Sequence, residues 1–425
     1  MKIPEILQQK ATELEQYYLS RLPEAAPLVR RCFLNTIETT VKHTGDDYFV
    51  ITGDIPAMWL RDSTSQISHY VRYAGQDPDL RQIVEGVLRR QARMVLVDAY
   101  ANAFNETPNG RCFARDRTEH HPQVWERKYE VDSLCAPLYL LHLYWKTTGC
   151  TGIFDGDIHR MILRIREVFA CEQHHENSAY SFERTGCVET DTLPCAGRGN
   201  PVAYTGMTWS GFRPSDDRCV YGYLIPAQLM AVKALEFGAE MLRAVYGDEP
   251  SASRCADLAG QIEAGVRRYG LVDHPRFGRM YAYETDGLGH SLLMDDANCP
   301  SLLSLPYLGC TTPEDELYRN TRAFILSEEN PCYFRGRVLR GVGSPHTPRD
   351  HVWPIGITMQ ALTSRDPAEI RSCLELLLAS HAGTGYMHES VHVDDPARYT
   401  RSWFAWANSL FAELLIRIRE SGMLD

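Results

Sequence analysis

GDIPAMWLRDSTSQISHYVRY, residues 53–73, joins two kinds of sequence that recur along this chain. Its first ten residues mix aromatic, acidic and turn-forming side chains, whereas Ser63–Tyr73 has the three- and four-residue apolar spacing of an amphipathic helix. The same spacing predicts further helices. They cover Ile3–Leu22, Glu24–His43, Pro78–Val97, Ser133–Thr148, Asp157–Glu172, Val220–Tyr246, Ala252–Tyr269, Pro313–Leu326, Pro367–Ser380 and Ser402–Glu420.

Strand-like alternation is brief and is confined to pieces such as Tyr48–Thr52 and Ser178–Glu183. No linker rich in Gly, Ser or Pro divides the chain, and no strict repeat is present. We therefore predict an all-α fold, an (α/α)₆ toroid whose inner and outer rings of helices form one catalytic domain over residues 1–425. Loops at one end of the rings would build a pocket. An open helical solenoid is the competing layout, for which internal repeats would be expected.

Charge and cysteine usage restrict the function classes. The 55 acidic residues outnumber the 44 basic ones, whereas a nucleic-acid binder needs cations to displace counterions from phosphates. The most apolar stretch, Leu134–Trp145, is too short to span a bilayer, and the N-terminus has no apolar signal core. The 13 cysteines are odd in number and show no C-x-x-C spacing, which argues against a disulfide framework or a zinc ribbon. We predict a cytoplasmic protein with no nucleic-acid or membrane partner.

Several segments between the predicted helices share one unusual composition, in which Trp or Tyr stands beside Asp, Glu, Arg and Asn. Sugars explain this mixture, because their C–H faces stack on aromatic rings while their hydroxyls need fixed donors and acceptors. Cleavage of a glycosidic bond requires two carboxyl groups, one acid and one base or nucleophile. The composition therefore predicts a glycoside hydrolase. The segments are residues 53–62, 129–132, 208–217, 294–298, 351–354, 385–390 and 401–406.

Helix capping explains some of these acids about as well as a functional role does. Asp62 and Asp132 each precede a predicted helix, and Ser63 with Gln66 matches a capping box. Asp296 lies at another helix start. These positions alone do not decide between caps and sugar ligands.

Two further features have ordinary structural explanations. Trp403 and Trp406 are three residues apart and are predicted to share a helix face, where at least one of them packs in the core. The pair His120-His121 resembles a metal site only superficially, because adjacent residues rarely ligate one ion without partners. We predict no metal and no cofactor.

Asp216 and Glu389 differ from the other acids. Asp216 follows a Gly-Phe-Arg-Pro turn and Glu389 lies in a Gly-, His- and Ser-rich loop, and helix periodicity explains neither position. Composition does not separate Asp216 from its neighbour Asp217. At most a pair of carboxyls among tryptophans follows from the residues alone.

In these segments the sequence resembles glycoside hydrolase family 125, the bacterial and fungal exo-α-1,6-mannosidases. The resemblance extends from about Thr52 to Phe411. It implies an (α/α)₆ toroid, metal-independent hydrolysis with inversion, and removal of non-reducing terminal α-1,6-linked mannose. The matching runs are residues 53–66, 129–139, 206–217, 294–308, 351–360 and 385–408.

The resemblance also implies roles for individual residues. It places the general acid on Asp216, the first Asp of Phe-Arg-Pro-Ser-Asp-Asp, and the general base on Glu389 of His-Glu-Ser. Either Trp403 or Trp406 would supply an aromatic wall. The expected partners are α-1,6-linked mannosides or mannose-containing glycans. We assign mannose binding to Arg61, Asp62, Glu130, Asp132, Arg213, Asp296, Asn298 and Trp353.

Two rival functions stay open on the sequence. A toroidal hydrolase or lyase could act on another sugar, such as a glucoside or a uronate, and Arg61 and Arg213 are candidate cations for a uronate carboxylate. A non-catalytic sugar-binding protein could use the same kind of pocket, although binding alone does not require two opposed acids.

Overall fold

Helices dominate the computed structural model, which describes residues 2–118 and 120–425. Twelve α-helices of nine or more residues lie in this part of the chain. Two short π-helical turns, Thr36–Thr40 and Leu242–Tyr246, extend the second and seventh helices. Helices α1 to α12 are, in order, Glu5–Arg21, Ala26–Asn35, Leu60–Val71, Pro78–Val97, Val131–Thr148, Gly156–Glu172, Ile225–Met241, Glu249–Tyr269, Glu316–Ile325, Pro354–Leu362, Pro367–Ser380 and Ala405–Ser421.

Short strands connect the helices and pair only in small antiparallel sheets of two or three strands. The three-stranded sheets are β3-β4-β5, β6-β9-β10 and β13-β14-β15, and the hairpins are β1-β2, β7-β8 and β11-β12. Strands β1 to β15 are, in order, Val41–Thr44, Asp47–Val50, Met58–Trp59, Ala103–Phe104, Val124–Glu126, Tyr223–Leu224, Leu271–His274, Gly278–Tyr281, Glu284–Thr285, Ser291–Leu292, Tyr333–Arg335, Arg340–Val342, His351–Val352, Ser390–His392 and Asp395–Thr400.

An inner ring of helices forms the centre of the fold. Helix α3 packs against α5 and α12, α5 packs against α7, and α10 packs against α12. A run of turns at residues 301–309 takes the sixth inner position: Tyr139 on α5 donates to the Leu308 carbonyl at 3.0 Å, and Tyr307 donates to Glu413 on α12 at 2.8 Å. Helices α4, α6, α8 and α11 return the chain outside this ring, and the predicted (α/α)₆ toroid is confirmed.

The inner helices all begin at the same end of the ring, because an outer helix carries the chain back after each of them. Short strands precede several of these starts and displace them from the predicted positions. Helix α3 begins at Leu60, directly after β3, and α7 begins at Ile225, directly after β6. Pro226 and Pro354 lie in the first turns of α7 and α10. Backbone N–H groups in a first turn have no intrahelical acceptor, so the proline residues cost these helices no hydrogen bond. Residues next to these helix starts therefore meet at one end of the toroid.

Two predicted elements differ from the structure. The helix predicted over Glu24–His43 ends at Asn35 and passes through a π-helical turn into strand β1. The run Thr39-Thr40-Val41 is β-branched, which favours extended backbone over helix. The strand predicted over Ser178–Glu183 is irregular, since the Arg198 guanidinium takes up the carbonyls of residues 178 and 180.

The first and last helices contact each other, and the Tyr18 hydroxyl donates to the Leu415 carbonyl at 2.9 Å. None of the helices in residues 2–118 and 120–425 combines the length and apolar character needed to cross a membrane.

Candidate active site

A pocket of about 600 Å³ opens at the end of the toroid where the inner helices begin. Arg61 and Asp62 reach it from the first turn of α3, Trp353 precedes α10, and Trp406 lies in the first turn of α12. This volume suits a small-molecule ligand. Of the predicted site residues, those that line the pocket are Arg61, Asp62, Asp216, Asn298, Trp353, Glu389 and Trp406.

The remaining predicted residues lie outside the pocket wall. Glu130 and Asp132 are buried beneath it and bind Arg61. Arg213 donates to Glu284 at 2.6 Å, and Asp296 accepts from the Asn298 side chain at 2.8 Å. These four side chains support groups of the wall or of its loops.

Trp403 also lies outside the wall, in the two-residue approach to α12, so it does not share a helix face with Trp406. Its ring packs against Gly53, where an added Cβ would come within 2.8 Å of Trp403 Cη2. Gly53 has a φ of +133°, which favours glycine for a second reason.

The capping hypothesis for the acids at the helix starts is wrong. The N-cap of α3 is Trp59 and that of α5 is Glu130, and neither helix has a side-chain cap hydrogen bond. Asp62 and Asp132 instead lie inside the first turns, and Gln66 donates to the Ile51 carbonyl at 3.0 Å. Both acids are therefore free of a capping role and turn toward Arg61.

Arg61 organises the buried floor of the pocket. Its Nη1 lies 2.5 Å from Glu130 and 3.0 Å from Asp132, and its Nη2 lies 3.5 Å from Asp62. The guanidinium also sits 5.5 Å from the centre of the Trp406 ring. One cation thus pairs with three carboxyls. An unpaired charge would be strongly disfavoured in this buried site, and the ion pairs offset that cost.

Asp216 is held by groups from other loops. Its backbone adopts φ +66°, an uncommon value for a residue other than glycine, and the Lys128 Nζ donates to its carbonyl at 2.8 Å. Asn102 Nδ2 donates to its Oδ1 at 3.0 Å, and Arg61 Nη2 lies 3.9 Å from the same oxygen. The side chain retains 27% exposure, so one part of the carboxyl faces the pocket.

Carboxyls outnumber cations in this cluster, and the pKa values of its carboxyls are shifted from their ordinary values. Burial raises the pKa of Glu130 well above its usual range and that of Asp62 to about 6, although Arg61 opposes both shifts. Burial also acts to raise the pKa of Asp216, but the charges of Lys128 and Arg61 outweigh it and lower the pKa. The charge of Asp216 adds to the raised pKa of Glu130, so of these two carboxyls Glu130 holds a proton more strongly.

Glu389 also lines the pocket and lies just before strand β14. Thr400 donates its hydroxyl to Oε2 at 2.9 Å, and Arg401 Nη1 donates to Oε1 at 3.4 Å. Arg401 is also paired with Asp54, and its guanidinium lies 4.5 Å from the Phe404 ring centre. Glu389 keeps 13% exposure and faces the pocket.

Asp217, the neighbour of Asp216, makes a different contact. Its Oδ1 lies 3.2 Å from His346 Nδ1. Burial lowers the pKa of His346, but the Asp217 carboxylate outweighs burial and raises it to about 9, so the imidazole is charged at neutral pH. Asp217 Oδ2 is buried and has no hydrogen-bond partner in the described part of the chain.

Sequence reasoning missed several members of the site. His346, Lys128 and Arg401 line the pocket, and Asn102 lies directly beneath Asp216. Lys128 adjoins the segment 129–132 and Arg401 is the first residue of the segment 401–406, so segment composition was a usable signal for both. Asn102 precedes the two-residue strand β4 and had no such signal. Within residues 2–118 and 120–425, no three His, Cys, Asp or Glu side chains are placed to hold a metal ion.

Comparison with known proteins agrees with this geometry. The sequence profile of the metal-independent α-mannosidases, GH125, matches residues 23–416. The Meiotically up-regulated gene 157 protein of Schizosaccharomyces pombe is 42% identical over 421 residues, which cover 93% of this chain and 82% of that protein. A Streptococcus pneumoniae metal-independent α-mannosidase, solved in a non-productive complex with α-1,6-mannobiose, is 43% identical, with 98% of each chain covered and a TM-score of 0.95.

More distant solved structures share the fold alone. A glycosidase solved in its wild-type form is 15% identical, with 95% of this chain and 98% of that chain covered and a TM-score of 0.55. The profile match and the two relatives above 40% identity are far more specific. The resemblance found in the sequence is thus confirmed, and the chain belongs to glycoside hydrolase family 125, the metal-independent α-mannosidases.

Proposed function

We propose that this protein is an exo-acting α-1,6-mannosidase that removes terminal mannose with inversion of anomeric configuration. The observation that carries the proposal is the placement of Asp216 and Glu389 on the wall of one pocket in unlike surroundings. Asp216 accepts a hydrogen bond from Asn102, whose amide also serves the buried carboxyl of Glu130, whereas Glu389 accepts hydrogen bonds from Thr400 and Arg401.

The proposed reaction follows from these positions. Asp216 donates its proton to the glycosidic oxygen, and the C1–O bond breaks with its electron pair remaining on that oxygen. Glu389 removes a proton from a water that attacks C1 from the opposite face. Inverting enzymes leave about 6.5–9.5 Å between the two carboxyls for this water. Afterwards Asp216 is ionised and Glu389 is protonated, and exchange with solvent restores both.

The terminal mannose would lie against the inner helices. Asp62 and Asn298 supply hydroxyl partners there, and Trp353 and Trp406 supply aromatic surface. Glu130, Asp132, Arg213 and Asp296 would act indirectly, by holding Arg61, the loop of Asp216 and the Asn298 side chain. A pocket that ends on the helix starts accepts one terminal sugar, which supports exo action.

The leaving group would occupy the mouth on the side of Asp216. Phe113 and Val188 line this mouth and are unusually exposed for apolar residues, at 55% and 70%. Their loops are tied together, since Arg117 N donates to the Glu183 carbonyl at 2.9 Å and Arg184 pairs with Asp116. An apolar rim of this kind suits the faces of the sugars that follow the terminal mannose.

The α-1,6 linkage is supported by the pneumococcal relative, whose structure contains α-1,6-mannobiose. The natural substrates would be α-1,6-linked mannosides, including those of mannose-containing glycans. We also propose that residues 1–425 form one catalytic domain that acts in the cytoplasm, which the 13 unpaired cysteines support.

Proton NMR of α-1,6-mannobiose hydrolysis tests sugar, linkage and stereochemistry together. We expect β-mannose to appear first and to mutarotate later, with much slower hydrolysis of α-1,2- and α-1,3-mannobiose. A chelator should leave the rate unchanged, because the α-mannosidases of this family are metal-independent. Early appearance of α-mannose would refute inversion, and preferential cleavage of another linkage or of a glucoside would refute the substrate.

A further inference from the structure

One amide group beneath the pocket serves three carboxyls at once. Asn102 Nδ2 lies 3.0 Å from Asp216 Oδ1, 3.2 Å from Glu130 Oε1 and 3.4 Å from Glu126 Oε2. The Asn102 side chain is completely buried. Three carboxyl groups thus share one NH₂ group, which has only two hydrogens to donate. A proton on one carboxyl reduces the repulsion among the three.

The orientation of this amide is set by the backbone. Asn102 Oδ1 accepts from the backbone N–H of Lys128 at 3.2 Å. A backbone N–H only donates, so the amide oxygen must face Lys128 and the NH₂ group must face the carboxyls. The backbone of Asn102 is itself anchored, because its carbonyl accepts from Leu60 N at the start of α3 at 3.2 Å. The amide can therefore act on the carboxyls only as a donor.

This donor distinguishes the two oxygens of Asp216. Oδ1 turns toward the buried amide and also faces Arg61 Nη2 at 3.9 Å, so it is held as an acceptor. We assign the exposed part of the side chain to Oδ2, because Oδ1 is engaged by the buried amide of Asn102. A proton on Oδ1 would displace the Asn102 hydrogen bond, whereas a proton on Oδ2 leaves that bond intact and faces the pocket.

We propose that Asn102 is a positioning residue for the general acid, which keeps the transferable proton of Asp216 on Oδ2, toward the glycosidic oxygen. The inference rests on the proposed function. When the proton leaves Oδ2 for the glycosidic oxygen, the negative charge that forms on Asp216 strengthens its bond from Asn102. The amide thus contributes most at the moment of bond cleavage, when charge-assisted hydrogen bonds are stronger than neutral ones.

The test compares two substrates that differ in their need for an acid. Mannobiose has a poor leaving group that must be protonated, whereas 2,4-dinitrophenyl α-mannoside leaves without protonation. We expect Asn102→Ala to lower kcat on α-1,6-mannobiose by about 10- to 100-fold, a part of the general-acid contribution, and on the aryl mannoside by less than about threefold. The ratio of the two losses is the readout.

Asn105→Ala is the matched control. Asn105 is also buried, and its amide donates to the carbonyls of Arg111 at 2.7 Å, Pro122 at 3.1 Å and Val124 at 3.4 Å, with no carboxyl among them. Its replacement should lower both rates by a similar factor. Equal losses on both substrates in Asn102→Ala, or an unchanged mannobiose rate, would overturn the proposal.

Asn102→Asp keeps the inference testable if the alanine variant does not fold. Its carboxyl can still accept from Lys128 N but donates to Asp216 only when protonated. We expect the mannobiose rate to fall relative to the aryl rate at a lower pH than in the unaltered enzyme, and the same ratio and pH dependence in both enzymes would contradict the role. The proposed function is tested separately, since it fails if the unaltered enzyme does not cleave mannobiose.

Discussion

Asp216 and Glu389 line the same pocket, yet the structure surrounds them differently. Asp216 is contacted by Asn102, Lys128 and Arg61, which come from three separate parts of the chain, and it shares its amide donor with other buried carboxyls. Glu389 receives its hydrogen bonds from one short stretch, residues 400 and 401. We call these the acid side and the base side.

The difference matches two chemical tasks. An acid must retain a proton near neutral pH, and crowded buried carboxyls retain one because each further negative charge disfavours the next ionisation. On the acid side the carboxyl that retains the proton is Glu130, whose pKa is raised by burial, whereas Lys128 and Arg61 lower the pKa of Asp216 itself. A base needs an accessible oxygen beside water, and Glu389 needs little more than orientation.

The largest effect is expected on the base side. Glu389→Gln should lower kcat by up to about 10⁴-fold on both α-1,6-mannobiose and 2,4-dinitrophenyl α-mannoside, because water must be activated whatever group leaves. Steady-state rates on the two substrates, with calorimetry to confirm that mannobiose still binds, provide the measurement. A near-normal rate on either substrate would show that Glu389 is not the base.

On the acid side the loss should depend on the leaving group. Asp216→Asn should lower the mannobiose rate by about 10²–10⁴-fold but the dinitrophenyl mannoside rate by about tenfold or less. Asp217→Asn is the matched control, since it removes the neighbouring acid that pairs with His346. We expect it to raise KM without this dependence on the leaving group. If Asp217→Asn showed the dependence and Asp216→Asn did not, the acid would be Asp217.

Burial of the Asp62 carboxyl beside Arg61 should also appear in stability. The folded-state pKa of Asp62 is raised to about 6 from an ordinary value of 3.8, so folding is progressively disfavoured as pH rises between these values. Without sugar present, Asp62→Asn should be near neutral at pH 4 and should stabilise the protein by up to about 3 kcal/mol at pH 7.5.

Denaturant unfolding at several pH values checks this expectation. Asp54→Asn is the base-side control: Asp54 is exposed, and loss of its ion pair with Arg401 should change stability by under about 1 kcal/mol. A pH-independent effect of Asp62→Asn would mean that the carboxyl is already neutralised by Arg61.

The smallest effect is expected at the pocket mouth. The leaving group lies beyond the acid, so Phe113→Ala should raise KM for an α-1,6-mannotriose about fivefold through loss of a stacking contact and leave the aryl mannoside unaffected. Ile55, on the base side of the mouth, provides the control variant Ile55→Ala. If both variants raised KM for the trisaccharide equally, the leaving group would not lie on the acid side of the mouth.

Local sequence properties account for what could be predicted. Apolar spacing located most of the helices, and segment composition located the helix starts that build the pocket. The displaced start of α3 and the strand at Val41–Thr44 were not predicted, because short strand pairings depend on partners elsewhere in the chain. Asn102 escaped notice because its partner Asp216 is 114 residues away.

By itself, the sequence determined a ring of helices with carboxyls and tryptophans gathered at one end, and its family resemblance singled out Asp216 and Glu389. Only the tertiary structure decided which acids face the pocket and which lie beneath it. Asp62 lines the wall, Glu130 and Asp132 are buried behind Arg61, and Arg213 is paired with Glu284. The reason is physical: a buried charge takes its role from the partners that compensate it, and those partners come from distant parts of the chain.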